Sequence, residues 1–343
     1  MSSSFRTDVT NYYDHDLTVV TLSKELGSSA WMEMDQVERV INLAWASPSG
    51  RRFGRLSLGL GIDSLAIAVK ARVFQNSGAY LVTNPWIAFF LSYLTRRPLF
   101  VTGIYASPGS RSWTWLMRAL KEAMIITTAH IEAENWSRAG GHAVSVLYGN
   151  NFPYDMDIEP TDSTDRVRIF VGGTSDRDMQ RVAQLEQEVL ESELNVSLDV
   201  AVGGQELNLA RGGARVHHLR QLSQEEFGRR MASADVVYLP LRKDSCRAAG
   251  HMITVGALQV GTPVVYTRNI GMAEYDDGRF VRRFLPSDSQ LEGLLNMLNS
   301  APGRDETRAY WQQNFSRQAY VRHVGEVIRQ SRHNSDIEDG MQL

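Results

Sequence analysis

Short apolar runs alternate with helix-length segments throughout the first half of the chain. The runs are nearly continuous in apolar residues, which is typical of strands buried on both faces of a sheet. The pattern predicts strands at residues 17–23, 40–46, 79–83, 99–105, 123–128 and 143–147, with helices at residues 63–75, 85–94, 112–121 and 132–138. Asp63 is a candidate N-cap, and Pro85 suits the first turn of its helix. This alternation indicates a parallel sheet covered by helices.

The pattern breaks at residues 154–166, where acidic residues, Thr and Ser replace the apolar positions, and we interpret this segment as a linker. The alternation then restarts. It predicts strands at residues 167–171, 197–202, 216–219, 236–239 and 263–267, with helices at residues 178–193, 224–232 and 251–260. Residues 304–330 are amphipathic and predict one long helix that packs across the domains. An α/β fold with two Rossmann-like domains fits this arrangement better than one large domain.

Composition and charge are those of an ordinary globular chain. Of 343 residues, 43% are hydrophobic and 22% are charged, which argues against a disordered or coiled-coil protein. The formal net charge is -3, so no basic field covers the whole chain and nucleic acid is disfavoured as a partner. Cys246 is the single cysteine and cannot form an internal disulfide, and the first residues lack the basic and apolar regions of a signal peptide. We therefore expect a cytoplasmic protein.

No stretch reaches the roughly 18 consecutive apolar residues that a membrane-spanning helix requires. The nearest is WIAFFLSYL at residues 86–94, which Arg96 and Arg97 follow. Two interpretations stay open: a helix buried in an α/β domain, or an aromatic surface with basic flanks that rests on lipid headgroups. In the second case the protein would be peripheral on the inner face of the membrane. The surface would then extend to residues shortly downstream, namely Arg111, Trp113, Trp115 and Arg118.

A glycine pair in FVGGTSDRD, residues 170–178, follows a predicted strand and precedes a predicted helix. Glycines let the backbone approach a ligand closely, and the free N–H groups of a helix start attract phosphate, so an anion site is plausible here. Arg177 could add a charged contact to a diphosphate. The alternative is a Gly-Gly turn with a surface Arg–Asp pair. The dinucleotide pattern GxGxxG and the phosphate-loop pattern GxxxxGK[ST] are both absent from the sequence.

A second candidate lies at residues 239–265, LPLRKDSCRAAGHMITVGALQVGTPVV, which predicts a strand, a polar loop, a helix and a strand. The polar loop contains Arg242, Lys243, Ser245 and Arg247. The helix that begins near Gly250 directs its unpaired N–H groups toward this loop, which suits a nucleotide diphosphate. The loop also follows the carboxyl end of a strand, where open α/β sheets bind their ligands.

In order along the chain, FVGGTSDRD, VHHLRQLSQEEF, ADVVYLPL, AGHMITVGALQVGTPVVYT and GMAEYDDG resemble the donor-binding half of GT-B fold glycosyltransferases. The resemblance is greatest to the bacterial group related to glycosyltransferase family four. It covers residues 166–285 in motif detail and the first half in layout only. It implies two Rossmann-like domains that face a cleft: an acceptor-binding domain at residues 1–155, a nucleotide-sugar-binding domain at residues 166–305, and a helix at residues 306–330 that returns to the first domain.

The resemblance also implies a role for particular residues. Gly172, Gly173, Thr174 and Arg177 would face the donor diphosphate, and Leu219 would lie near the nucleobase. The phosphates and the sugar would be lined by Lys243, Ala249, Gly250, His251 and Met252.

The sequence departs from the family pattern at two positions. The acidic residue that binds the donor ribose falls at Gly256, and its earlier acidic partner falls at Ala248. Ribose recognition must therefore come from other residues. The signature of retaining members is also missing, so the stereochemical outcome stays open.

An inverting glycosyl transfer needs a base that deprotonates the acceptor, and such a base should lie at a strand end of the first domain. Glu25 and His130 meet that condition, and Tyr105 is a candidate for sugar contact; the alternative for each, which we favour for any one of them taken alone, is a solvated loop residue. His217 and His218 are adjacent in a predicted strand and point to opposite faces, which favours a structural role over a metal site. We expect no bound metal.

The leading hypothesis is a glycosyltransferase that moves a sugar from a nucleotide-sugar donor, with UDP the commonest carrier in the family, to a lipid-linked or growing saccharide acceptor. One alternative is a protein of the same fold that binds a sugar nucleotide or saccharide without turnover. Another is a sugar-nucleotide epimerase of similar two-domain form. We predict no nucleic-acid partner, and contact with the membrane only at its surface.

Overall fold

The computed structural model describes residues 17–23, 40–44, 52–53, 56–74, 78–104, 106–155, 166–202, 215–243, 247–284 and 289–340. The chain divides into two compact units: unit 1 comprises Met1–Val146 with Tyr320–Leu343, and unit 2 comprises Leu147–Ala319. Glu25, Tyr105, Ser245 and most of the predicted linker, residues 156–165, lie outside the described residues.

Unit 1 contains a parallel six-stranded sheet of order β2-β1-β5-β6-β7-β8. Its strands are β1 (Leu17–Ser23), β2 (Val40–Ala44), β5 (Ala79–Val82), β6 (Leu99–Thr102), β7 (Met124–Thr127) and β8 (His142–Ser145). A short antiparallel pair, β3 (Arg52–Phe53) and β4 (Leu56–Ser57), precedes the first described helix. All four residues of β5 and of β6 are buried. Their sequences are nearly continuous in apolar residues because side chains on both faces of these strands pack in a core.

Helices cover both faces of this sheet. On one face lie α1 (Leu58–Phe74), α2 (Pro85–Leu94), α3 (Arg111–Ala119) and α4 (His130–Arg138), which pack on alternate strand residues such as Tyr80 and Val82. On the other face, Tyr320 and Val324 of α10 (Arg317–Gly340) pack against strand residues that include Leu81. Adjacent strand residues thus enter different cores, as the pleat of a strand requires.

Unit 2 contains a second parallel six-stranded sheet of order β11-β10-β9-β12-β13-β14. The strands are β9 (Val167–Gly173), β10 (Val196–Val202), β11 (Val216–His218), β12 (Val236–Leu239), β13 (Val264–Tyr266) and β14 (Val281–Arg283). The helices are α5 (Met179–Glu191), α6 (Gln224–Ala232), α7 (His251–Gln259), α8 (Gln290–Leu298) and α9 (Arg304–Asn314), with a 3-10 helix at Ile270–Tyr275. Residues 147–155 join this unit: the Tyr148 N–H donates to the Tyr275 hydroxyl, and the Phe152 backbone exchanges two hydrogen bonds with the Gln259 amide.

Two predictions about helix limits are wrong. Asp63 is not an N-cap, because α1 begins at Leu58 and continues through Gly59 and Gly61 to Asp63. The predicted single helix at residues 304–330 is two helices, because α9 ends at Asn314 and the chain turns at Phe315 before α10 begins at Arg317. Pro85 does occupy the first turn of α2, with the Asn84 side chain accepting from the Trp86 N–H as the cap.

Candidate functional site

The sheet of unit 2 reverses its strand order between β9 and β12. Loops that leave neighbouring strands at such a point diverge to opposite faces of the sheet, so a crevice forms at the carboxyl ends of the strands. The loop after β9 and the loop after β12 are the two motifs that the sequence singled out. Both therefore lie at the position where open α/β sheets bind ligands.

The glycine pair forms the last two residues of β9, rather than a loop that follows the strand. A side chain at Gly172 would begin 2.5 Å from the Phe170 ring and 2.9 Å from the Phe227 ring, so only glycine fits between these aromatic residues. Gly173 has φ +101°, and a Cβ there would overlap the guanidinium of Arg177. Both glycines therefore have a steric cause within the protein, besides any approach to a ligand.

Arg177 is 7% exposed, and its guanidinium holds the segment that follows β9 through hydrogen bonds to backbone carbonyls. Its Nε donates to the Gly172 carbonyl at 2.8 Å, and its Nη1 donates to the Ser175 carbonyl at 2.9 Å. Burial lowers the pKa of Arg177 to about 10, which leaves the guanidinium charged at neutral pH. Within the described residues Nη2 makes no hydrogen bond, and it is the part of the side chain that is left to contact an anion. The alternative of a surface Arg–Asp pair is wrong, because the guanidinium is buried against carbonyls.

The two loops are fastened to each other. The Asp178 N–H donates to the Pro240 carbonyl at 2.7 Å, and the Arg242 N–H donates to the Asp176 carbonyl at 3.0 Å. The Asp176 carboxylate accepts from Nε of Arg247 and pairs with its Nη2, both at 2.8 Å. Asp176 adopts φ +56°, a left-handed conformation that these contacts hold in place. The loop after β9 and the loop after β12 are thus joined by two backbone hydrogen bonds and one ion pair.

The start of α7 differs from the start of α5. Asp178 caps α5, since its Oδ1 accepts from the N–H groups of Gln180 and Arg181. The cap of α7 is Gly250, at φ +96°, which offers no side-chain acceptor. In the described part of the chain, no group accepts a hydrogen bond from the first N–H groups of α7. A negatively charged ligand therefore fits the start of α7, where the helix dipole is uncompensated, better than the start of α5.

His251 is the first residue of α7, and its ring contributes no positive charge to the site. Burial lowers its pKa to about 4, so the imidazole is neutral at neutral pH. Its Nδ1 pairs with the Ala248 carbonyl, which can only accept, so Nδ1 carries the proton and Nε2 keeps its lone pair. The ring lies edge-on to Tyr148, with centroids 5.1 Å apart.

The other predicted donor contacts differ in exposure. Thr174 and Lys243 are exposed on the two loops, and Met252 is 50% exposed on the first turn of α7. Ala249 is 4% exposed and can offer only its backbone to a ligand. Leu219 follows β11, where its N–H donates to the Val200 carbonyl at 2.8 Å. All of the predicted donor residues therefore lie near the carboxyl ends of the strands of the second sheet.

Tyr154 occupies the space beside Gly256, the position that departs from the family pattern. A Cβ at Gly256 would lie 3.0 Å from Cε2 and 3.3 Å from the hydroxyl of Tyr154, and Tyr154 also packs on Gly228. A carboxylate at this position would require the Tyr154 ring to move. Burial raises the pKa of Tyr154, so its hydroxyl stays protonated. Ala248, the other departure, is buried and apolar.

The adjacent histidines contact different acidic residues. His217 Nδ1 lies 2.8 Å from Asp199 Oδ1, whereas His218 Nε2 lies 3.9 Å from Glu186 Oε1. Glu186 is 1% exposed, and burial raises its pKa to about 7. Among the residues that the structure describes, no group of three or more His, Cys, Asp or Glu side chains could hold a metal ion.

Of the two base candidates, only His130 lies within the described residues; Glu25 lies outside them, as does Tyr105, the predicted sugar contact. His130 is the first residue of α4 in unit 1, and its side chain is 67% exposed. Its Nε2 lies 3.8 Å from Oε1 of Glu134, one helical turn further on. This is the geometry of a surface residue that a ligand could still reach.

Sequence reasoning missed the residues that hold the loops, above all Asp176 and Tyr154. The sequence marks Arg247 only as one of several cations in the polar loop. The charged residues in TSDRD and the aromatic residues in NNFPYD were visible signals. Asp176 pairs with Arg247, 71 residues away, and Tyr154 packs on Gly256, about 100 residues away. A single sequence does not show which distant residues are in contact.

No sequence-family profile and no curated protein matches the chain. Solved structures do match it. Anabaena Alr3699/HepE in complex with UDP-glucose gives a TM-score of 0.61 at 15% identity, covering 91% of this chain and 99% of that chain. A UDP-forming α,α-trehalose-phosphate synthase from Burkholderia xenovorans gives 0.62 at 12% identity, covering 91% and 97%. A putative UDP-N-acetylglucosamine 2-epimerase from Listeria monocytogenes gives 0.52 at 13% identity, covering 89% and 94%. With its two parallel-sheet α/β domains and helical carboxyl terminus, the chain has the GT-B fold.

Proposed function

We propose that this protein is a glycosyltransferase that moves a sugar from a UDP-sugar bound by unit 2 to a lipid-linked or growing saccharide acceptor bound by unit 1. The observation that carries the proposal is the start of α7, which has no side-chain cap, together with the charged, buried guanidinium of Arg177, on the two loops where the second sheet reverses its strand order. The UDP-glucose complex of Anabaena HepE supports the choice of UDP. A relationship to the family-four group belongs to the same proposal.

The proposed chemistry needs stabilisation of the departing diphosphate, whose charge grows as the glycosidic bond to the donor breaks. N–H groups and cations that are already oriented stabilise such charge without reorganisation. The N–H groups of His251 and Met252, with Nη2 of Arg177, supply these contacts. Lys243 adds a flexible cation from the exposed side of the polar loop, and Thr174 adds a hydroxyl. Because His251 is neutral, it can face a sugar hydroxyl as an acceptor through Nε2.

In the proposal, as in the predicted domains, residues 1–155 bind the acceptor and residues 166–305 bind the donor. Residues 306–330, which α9 and α10 span together, return to the first domain. Glu25 and His130 are the proposed bases, and Tyr105 is the proposed sugar contact. Replacing Glu25 with Gln or His130 with Ala should lower turnover more than donor affinity if that residue is the base. Unchanged turnover in both variants would remove both assignments. No bound metal enters the proposed mechanism.

The first experiment is a thermal-shift screen of nucleoside diphosphates and their sugars, since a ligand that binds only the folded state raises the melting temperature. UDP and UDP-sugars should give the largest shifts. The decisive measurement is UDP release from the selected donor with and without saccharide and lipid-linked acceptors. Release that depends on the acceptor supports glycosyl transfer. Donor binding without release across a broad acceptor panel contradicts it.

Two observations favour other functions. The Listeria neighbour is a putative epimerase, and an epimerase would convert the donor with no acceptor present. Conversion of the donor sugar, followed by nuclear magnetic resonance, would identify that activity. The apolar Ala248 and the filled space at Gly256 favour a binding protein without turnover, which would retain donor affinity alone.

A further inference from the structure

The first three described helices of unit 1 carry apolar side chains that no described part of the chain covers. On α1, Ile62, Leu65, Val69 and Val73 are 59%, 44%, 42% and 65% exposed. They recur every three or four residues and so form one stripe along the helix. The buried residues Ile67, Ala68 and Ala71 face the opposite side and pack in the core. α1 is therefore apolar on both sides: one side packs in the core and the other is exposed to water. An exposed apolar helix side of this kind marks an interaction surface.

An aromatic pocket lies between α2 and α3, which pack with α1 on the same face of the sheet. This pocket has a volume of about 390 Å³ and is lined by Trp86, Phe89, Phe90, Tyr93, Trp115 and Arg118. Tyr93 is 69% exposed and Trp115 is 48% exposed. Tyr and Trp have an apolar body and a polar tip, which suits the boundary between water and hydrocarbon. We call the α1 stripe and this pocket together the apolar face.

The charge around the apolar face is strongly positive. Residues 58–121 contain seven Lys and Arg residues against the single acid Asp63, whereas the whole chain has a net charge of -3. Each of the three helices leads into a parallel strand, so their carboxyl ends lie at the same edge of the sheet. That edge collects six of the cations: Lys70, Arg72, Arg96, Arg97, Arg118 and Lys121. Within the described residues, none of the six forms an ion pair with a carboxylate.

We propose that the apolar face of α1, α2 and α3 docks on the surface of an anionic lipid bilayer. Apolar side chains would enter the headgroup region, and the surrounding cations would contact lipid phosphates. A second copy of the chain fits less well, because a two-fold contact would bring the same cations together from both copies. The exposure and charge of this surface do not depend on the proposed function. Only the purpose of docking rests on it, since a lipid-linked acceptor would be held at the same bilayer. No described helix is long and apolar enough to cross a membrane, so the contact is with the surface.

Vesicle flotation of the full chain tests this proposal. We expect the protein to float with vesicles of phosphatidylcholine mixed with phosphatidylglycerol, and to stay behind with phosphatidylcholine alone. Binding should weaken as salt is added, because the contacts with phosphate are screened. Absence of binding to the anionic vesicles, or equal binding to both kinds, overturns the proposal. No donor or acceptor is present in this assay, so its outcome is separate from that of the transfer assay.

Two pairs of variants locate the surface. Tyr93→Ser with Trp115→Ser should weaken binding by about tenfold or more, as two amphipathic rings leave the interface. Arg97→Gln with Arg118→Gln should weaken it by about tenfold to thirtyfold, at about fivefold for each cation. The matched controls are Leu194→Ser, 49% exposed in unit 2, and Arg329→Gln, exposed on α10; both should bind as the parent does.

The outcomes of the variants are also decisive. All four side chains are at least partly exposed, so melting temperatures should be unchanged, and sedimentation should confirm the state of assembly. Parent-like binding by both double variants overturns the proposal. A lipid-free dimer that the Tyr93→Ser and Trp115→Ser changes dissociate would also overturn it, because it would identify a second copy as the occupant of the apolar face.

Discussion

Replacing Arg177 with Met separates the structural role of this side chain from its proposed contact with the donor. The guanidinium is 7% exposed and donates to the carbonyls of Gly172 and Ser175. Hydrogen bonds from a charged donor contribute about 1.5–3 kcal/mol each, and both carbonyls would lose their partner. Met retains much of the apolar volume. We therefore expect the free energy of unfolding in urea to fall by about 3 kcal/mol.

The same change should weaken UDP binding, because Nη2 is the group left to contact the diphosphate. Loss of one charged hydrogen bond corresponds to about 1.5–3 kcal/mol, or about a tenfold to 150-fold rise in the dissociation constant. Calorimetric titration with UDP, at a temperature where the variant is fully folded, measures this directly.

Arg215 provides a matched control. Its guanidinium donates to the carbonyls of Leu190, Ser192 and Leu194 at the carboxyl end of α5, at the other edge of the sheet from the proposed site. Arg215→Met should lower the free energy of unfolding by about 2 kcal/mol, less than Arg177→Met because this guanidinium is only partly buried, and leave UDP affinity unchanged. Parent-like UDP affinity in Arg177→Met would refute the diphosphate contact. An equal loss of affinity in both variants would show that the effect acts through stability.

Three further predictions follow from the same geometry. Gly173→Ala should lower the free energy of unfolding by about 1–2 kcal/mol and weaken UDP binding, because the added Cβ displaces the Arg177 guanidinium. Gly278→Ala is the control, since Gly278 has φ +74° and nothing lies within 4 Å of the added Cβ. It should show the cost of the left-handed backbone conformation without a loss of UDP affinity. Lys243→Ala should weaken UDP binding by about 1 kcal/mol and leave the melting temperature unchanged, since the side chain is exposed; equal affinity would remove it from the site. The buried His251 has a pKa lowered to about 4, so it contributes stability above pH 6.5 that is lost as the pH falls toward 4, whereas Glu186, with its pKa raised to about 7, contributes stability below pH 4.5 that is lost as the pH rises through 7. The Glu186→Gln variant should therefore lose about 2.5 kcal/mol relative to the parent on going from pH 6.5 to pH 4, and the His251→Gln variant should gain the same amount. Urea unfolding across this range with no such slopes would contradict both assignments.

Much of the fold could be predicted because its signal is local. Helices α2 and α6 and strands β1 and β12 have the predicted limits, since buried strands are continuous in apolar residues and helices show a period near 3.6. Short or polar elements escaped prediction. The strand β14, with the sequence VRR, and the 3-10 helix at Ile270–Tyr275 carry no such periodicity and are held by neighbours that are distant in sequence.

For the site, the sequence by itself determined which segments carry glycines, cations and a helix start at the carboxyl ends of strands. These are properties of neighbouring residues, so a single chain displays them. Only the tertiary structure decided that Arg177 points back to its own loop, that Asp176 joins Arg247 across 71 residues, and that Tyr154 fills the space beside Gly256. The physical reason is that the direction of a side chain depends on which partner lies within hydrogen-bond reach, and that partner is chosen by packing between segments far apart in the chain.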